Sequence, residues 1–223
     1  MSVRRAKSPF CFVSCMELRE ILGKRAMDEE QLLEIIEEAP ADSIYYHTHS
    51  YYLRHPYSQG LFPNDFATWV ALYAQDRALG ERLGMIDPFV FNDIEQLREE
   101  ILTIIGDHLS HIRTIPRSTT GEPFEFVRSH VIEADLGLEA WTLPEFRDAL
   151  AHVAVGAVYN HACEARLRKG RLSGDFATWL SAEEGLGLPD LAAQVVKVGH
   201  LGLSLEGMRD RIVHLCDQAV STA

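Results

Sequence analysis

Residues that could do chemistry crowd into one stretch, Tyr45-Tyr46-His47-Thr48-His49-Ser50-Tyr51, followed by Asp65-Phe66-Ala67-Thr68-Trp69. An imidazole can act as a base or a hydrogen-bond donor, a carboxylate can assist it, and Tyr or Trp rings can stack on a ligand. The candidate ligand-binding residues are therefore Tyr46, His47, His49, Tyr51, Asp65 and Trp69, grouped beside a turn-rich loop from Pro56 to Pro63. Each also has a purely structural reading. His47 shares a helical stripe with Ile44 and Tyr51, as a buried and hydrogen-bonded imidazole would. Asn64 or Asp65 starts a helix, where the Asp65 carboxylate can cap N–H groups, while Phe66, Trp69 and Val70 fall on the inward face.

Signatures of specific reactions are missing. The chain has no GxSxG, no HExxH, no Walker loop and no GxGxxG, so no catalytic residue is assigned. His47 and His49, two residues apart, point about 200° apart on a helix and cannot share a metal. His108 and His111, at i and i+3, could share one if acidic residues converged from other helices. A metal-binding helical bundle is thus a third reading, but no metal and no cofactor are expected.

The elements that must position these residues come in two copies. Asp65–Trp69 returns as Asp175-Phe176-Ala177-Thr178-Trp179. An offset of 114 pairs Phe10 with Phe124, Phe12 with Phe126, Val13 with Val127, Leu22-Gly23 with Leu136-Gly137, Tyr45 with Tyr159, His47 with His161 and Leu53-Arg54 with Leu167-Arg168. The pattern implies a mainly α protein of two tandem, diverged helical repeats related by a pseudo-twofold. Residues 1–112 form the first repeat, 113–123 a linker rich in Pro, Ser, Thr and Gly, and 124–223 the second.

Each repeat opens on a short extended segment, Phe10–Val13 or Phe124–Val127, and two such segments can pair. About five helices follow in each. Met16–Leu22 reads as a short helix ended by Gly23. Asp28, Thr142 with Glu145, and Asn92-Asp93-Ile94-Glu95 read as helix starts. Asp42 or Ser43 caps a helix running through Leu53. The last helix places Leu205, Met208, Ile212, Leu215 and Cys216 on one stripe.

A net charge of −12 argues against nucleic acid as the main partner. The run Arg166–Arg171 reads as a solvated helix end. No apolar run approaches the ~18–20 residues that span a bilayer, so no membrane partner is expected. The apolar patch near the N-terminus is too short for an export signal. Four cysteines with no CxxC pair suit a reducing cytoplasm.

The residues Ser43-Ile44-Tyr45-Tyr46-His47, followed by Pro63-Asn64-Asp65-Phe66-Ala67-Thr68-Trp69, resemble a family of uncharacterised bacterial and archaeal proteins known only as a domain of unknown function. In the second half Tyr159-x-His161, Glu164-Ala165-Arg166, Asp175-Phe176-x-x-Trp179-Leu180 and Leu205-Glu206-Gly207-Met208-Arg209 resemble it too. Asn160 stands where that pattern has a second Tyr, and Gly174 where it has Asn, so two equivalent sites are not implied. The resemblance implies a soluble helical protein and brings no activity. The sequence reading is a cytoplasmic, non-catalytic binding or interaction module whose partner is a protein or a small polar metabolite, with a homo-oligomer left open. The alternative is an enzyme or sugar-binding protein using His47, Asp65 and aromatic residues.

Overall fold

The computed structural model describes residues 4–58, 60–91, 93–111, 122–165, 173–199 and 201–222. Two long strands, β1 (Arg5–Ala26, 22 residues) and β2 (Phe124–Thr142, 19 residues), form a two-stranded sheet. They run antiparallel. As β1 advances from Glu20 to Arg25, its ion-pair partner steps back from Arg128 to Glu125. This ribbon corrects the expectation of a mainly α protein built from two helical repeats with short extended segments. The helices are present, but the strands are a principal element.

The physical reason for the miss lies in what the ribbon buries. Phe10 and Phe12 are enclosed and alternate with exposed Cys11, which gives a readable strand period. Further along, Met16, Leu18 and Ile21 are all more than half exposed, so no buried alternation marks the strand. Met16–Leu22 is therefore strand and not the short helix that its apolar spacing suggests. Gly23 does adopt the left-handed backbone expected of it, at φ 71°, but inside the strand, and Gly137 does the same at φ 61°. A left-handed glycine within a strand is the conformation of a bulge, where a Cβ would be strained.

Helices α1 (Glu29–Glu38), α2 (Ala41–His47), α3 (Ser50–Arg54), α4 (Asp65–Leu72), α5 (Arg77–Gly84) and α6 (Ile94–His111) follow β1, with a 3₁₀ turn at Pro88–Val90. After β2 come α7 (Leu143–His152), α8 (Val155–Tyr159) continuing as a π-helical turn at Asn160–Glu164, α9 (Gly174–Ser181), α10 (Pro189–Val198) and α11 (Leu205–Thr222). Asp28 caps α1 by accepting from the Gln31 amide, and Thr142 with Glu145 forms the capping box of α7. Asp93 accepts from the Gln96 amide at the start of α6; Asn92 lies outside the described residues. Neither Asp42 nor Ser43 caps α2, whose N-cap is Pro40. The helix expected through Leu53 breaks at Thr48, whose hydroxyl donates to the Ile44 carbonyl at 2.7 Å.

The chain divides into two compact units, and neither is a contiguous half. The first unit comprises Glu17–His55 and Gln59–His130; the second comprises Met1–Met16, Pro56–Ser58 and Val131–Ala223. In the first unit Phe124 and Phe126 of β2 join the core made by Leu32, Ile36, Ile44, Phe66, Val70, Leu97 and Ile101. In the second, Phe10 and Phe12 of β1 pack on Phe146 of α7 at 5.4 and 5.7 Å between ring centroids. Leu205, Met208, Ile212, Leu215 and Cys216 are all buried, as their stripe predicted. The 113–123 segment and the Arg166–Arg171 run lie almost wholly outside the described residues.

Each unit thus closes its core with phenylalanines from the other half's strand. Phe126→Ala or Phe12→Ala is expected to lower unfolding free energy in urea by about 3–5 kcal/mol. Met16→Thr, on the exposed part of the same ribbon, should change it by less than about 0.5 kcal/mol.

Candidate functional site

His47 sits at the end of α2, Asp65 in the first turn of α4 and Arg54 at the end of α3, all in the first unit. His47 Nδ1 lies 2.8 Å from Asp65 Oδ2. Its other nitrogen, Nε2, accepts a hydrogen bond from the Val127 backbone amide at 3.1 Å. An amide only donates, so Nε2 is unprotonated and Nδ1–H donates to Asp65. Burial drives the His47 pKa below its ordinary value, outweighing the Asp65 carboxylate that would raise it.

Asp65 does not cap its own helix as the sequence suggested. Asn64 does so, accepting from the Ala67 amide at 2.8 Å, which leaves the Asp65 carboxylate free for side-chain partners. Arg54 donates from Nη2 to Asp65 Oδ2 at 2.7 Å and to the Tyr46 carbonyl at 2.8 Å. Its guanidinium lies over the Tyr46 ring, 4.1 Å from the centroid. Burial alone would raise the Asp65 pKa, but the His47 hydrogen bond and the Arg54 charge outweigh it and hold the carboxyl below its usual value.

The remaining candidates divide. Tyr46 and Tyr51 belong to the same cluster: the Arg54 guanidinium faces both rings, and Tyr51 packs its hydroxyl against Gly60, where a Cβ would lie 2.3 Å away. His49 is elsewhere. It is fully enclosed, with Nε2 donating to the Pro88 carbonyl at 3.0 Å, Nδ1 at 3.1 Å from the Thr48 hydroxyl, and its ring stacked on Tyr45. Burial pushes its pKa down to about 3. Trp69 is buried and donates its indole N–H to the Glu122 carbonyl at 2.8 Å. His108 pairs with Asp76 at 2.6 Å and His111 folds back on the Asp107 carbonyl at 2.7 Å. Among the described residues no three His, Cys, Asp or Glu side chains are grouped to hold a metal.

Sequence reasoning passed over two members of the cluster. Arg54 was visible as one of a pair with Arg168 at the 114 offset, and a carboxylate beside an imidazole invites such a counter-ion; Arg168 lies outside the described residues. Glu17, near the middle of β1, bonds Arg19 through Oε2 at 3.0 Å while its Oε1 is buried without a partner. Arg54 Nε and Ser50 Oγ are likewise buried and unpartnered. Nothing in the local sequence marks Glu17, because only the strand carries it to α2 and α3.

The second unit repeats the fastening. His161 Nδ1 lies 2.9 Å from Asp175 Oδ2, and Nε2 accepts from the Val13 amide at 2.9 Å. Asn160 stands in place of Tyr46 and donates to the Val13 carbonyl at 3.3 Å.

A model of the family of unknown function DUF5752 matches residues 7–217. The chain belongs to that family. This DUF5752 chain is also similar to OrfY from Thermoproteus tenax, a solved structure, with 30% sequence identity and a TM-score of 0.77 over 97% of this chain and 98% of that one. No curated protein matches it. No helix among its described residues is long and apolar enough to cross a membrane.

The buried imidazoles of His47 and His49 give the DUF5752 chain a pH signature. Both are neutral in the fold, whereas unfolded histidine titrates near pH 6.5. As pH falls through about 6.5, the unfolded chain binds protons that the native chain refuses. Stability present above that pH is therefore lost progressively, down to about pH 3 for His49. Urea unfolding at stepped pH values below 6 should show a loss of about 1.4 kcal/mol per pH unit from His49 alone. The slope should be shallower by that amount in His49→Gln.

Proposed function

We propose that the chain is a non-catalytic binding module whose site is the polar cluster of the first unit, and that it takes a small hydroxyl- or carboxamide-bearing metabolite. One observation carries this reading: the Arg54 Nε–H donor and the Glu17 Oε1 acceptor are both orphaned in the same buried cluster, beside Tyr46, Tyr51 and Asp65. An unmet buried donor or acceptor costs about 1–3 kcal/mol, so a group that both accepts and donates is wanted there. A hydroxyl does both, and the tyrosine rings supply the apolar contact typical of sugar and polyol sites.

The ligand contacts fall to Tyr46, Tyr51, Arg54, Asp65 and Glu17. His47, His49 and Trp69 form the frame, because their polar ring atoms are already engaged. The same engagement disfavours the catalytic alternative, since a general base at His47 needs a free Nε2. Matched fastenings in both units support descent from an internal duplication, and the first copy alone has the Glu17 and Tyr46 side chains. Val131 and Asn160 replace Glu17 and Tyr46 in the other.

Thermal shift and calorimetry against neutral monosaccharides, polyols and amino-acid amides at millimolar concentration test the reading. At least one is expected to bind, and Glu17→Gln should weaken it about tenfold or more, a loss of about 1.4 kcal/mol, with unchanged circular dichroism. No binder in these classes, or a binder indifferent to both Glu17→Gln and Arg54→Lys, would overturn it.

A further inference from the structure

The strand segments that complete the two units are near copies: Ser8-Pro9-Phe10-Cys11-Phe12-Val13 and Glu122-Pro123-Phe124-Glu125-Phe126-Val127. The grooves that hold them read them in one register. Trp69 donates its indole N–H to the carbonyl two residues before the first Phe, Glu122, at 2.8 Å; Trp179 donates to Ser8 at 2.9 Å, again two residues before the first Phe. Three residues after that Phe, the Val amide donates to the histidine, Val127 to His47 and Val13 to His161. Between these two bonds both phenylalanines are swallowed. Phe124 stacks on Phe66 at 5.2 Å and lies 4.6 Å from His47; Phe10 lies 5.4 Å from Phe176 and 4.8 Å from His161.

Each groove is thus a reader of Pro-Phe-x-Phe-Val in extended form, by main-chain bonds at both ends and aromatic pockets between. The first unit's groove is filled from β2 and the second unit's from β1. Neither strand segment is contiguous with the helices that hold it: the histidine bond in the second unit spans 148 residues and the tryptophan bond 171.

We propose that a second copy of this chain can supply these strands, giving a dimer that reciprocally exchanges its Pro-Phe-x-Phe-Val segments. In that dimer the β2 segment of one copy enters the first-unit groove of the other, and the β1 segments complete the second-unit grooves in the same manner. Every groove contact made in trans is one already made in cis, so no new surface is required. Chain concentration at the moment of folding then selects the product. Interconversion of the folded forms is slow, because a buried strand must leave its groove first.

The test uses the full chain, refolded from guanidinium at about 5 µM and at about 500 µM, followed by light scattering on a sizing column. The dilute sample is expected at the chain mass of 25.1 kDa. The concentrated one should contain a species of twice that mass that survives dilution for hours. A ¹⁵N-labelled copy distinguishes exchange from surface association. Native mass spectrometry should show mixed-isotope dimers only when the two samples are refolded together. A single-chain mass at both concentrations would overturn the proposal. So would mixed dimers that form within minutes of combining folded samples.

Discussion

A neutral imidazole accepting a hydrogen bond from a strand amide is the interaction on which the remainder of this structure depends. His47 can hold the Val127 amide only while Nε2 is bare, and Asp65 secures that state by accepting the hydrogen bond from Nδ1–H. Arg54 in turn neutralises Asp65, and the rings of Tyr46 and Phe66 exclude water from the set. Removing the carboxylate would free the tautomer; removing the imidazole would leave an amide and a carboxylate buried together. The same logic governs His161, Asp175 and Val13. Two carboxylate–imidazole pairs that look catalytic in isolation are therefore fasteners, and their shielding from solvent follows from that use.

What differs between the units is then more telling than what they share. Around the first fastening lie two charged groups whose hydrogen bonds are incomplete, Glu17 and Arg54. The second has Asn160, whose amide donates to the Val13 carbonyl while its Oδ1 is buried without a partner, and Val131 in place of the strand carboxylate. Incompletely satisfied buried groups burden stability, and folds that keep them commonly do so at functional sites.

Much of the helical layout was legible from the sequence, because caps act locally: Asp28, Thr142 and Glu145 each satisfy amides within four residues. The left-handed state of Gly23 was legible too, since that glycine signals its backbone state whatever element surrounds it. The element itself was not. From Met16 to Leu22 the ribbon is mostly exposed, so burial imposes no period of two and the apolar residues imitate a helical stripe. The strand exchange was hidden for a different reason. An internal offset of 114 pairs a residue with its counterpart, Val13 with Val127, whereas the structure pairs each with the histidine of the other half. Likewise His47 and Asp65 were singled out correctly as neighbours, but Arg54 and Glu17 joined them only through folding at a distance.

The exchanged strands have a consequence for the order in which a ribosome delivers this protein. Helices α1–α6 emerge before Phe124–Val127 is synthesised, so the first core stands with an open groove until β2 follows. The wait is longer for Phe10 and Phe12, whose tryptophan-bearing helix α9 lies some 170 positions downstream by the bond from Trp179 to Ser8. At roughly 5–20 residues per second that is on the order of ten seconds or more, during which an apolar β segment has no cognate surface. A nascent chain of this design is open to neighbours on the same polysome and to holdase chaperones, in proportion to how slowly its second half is translated.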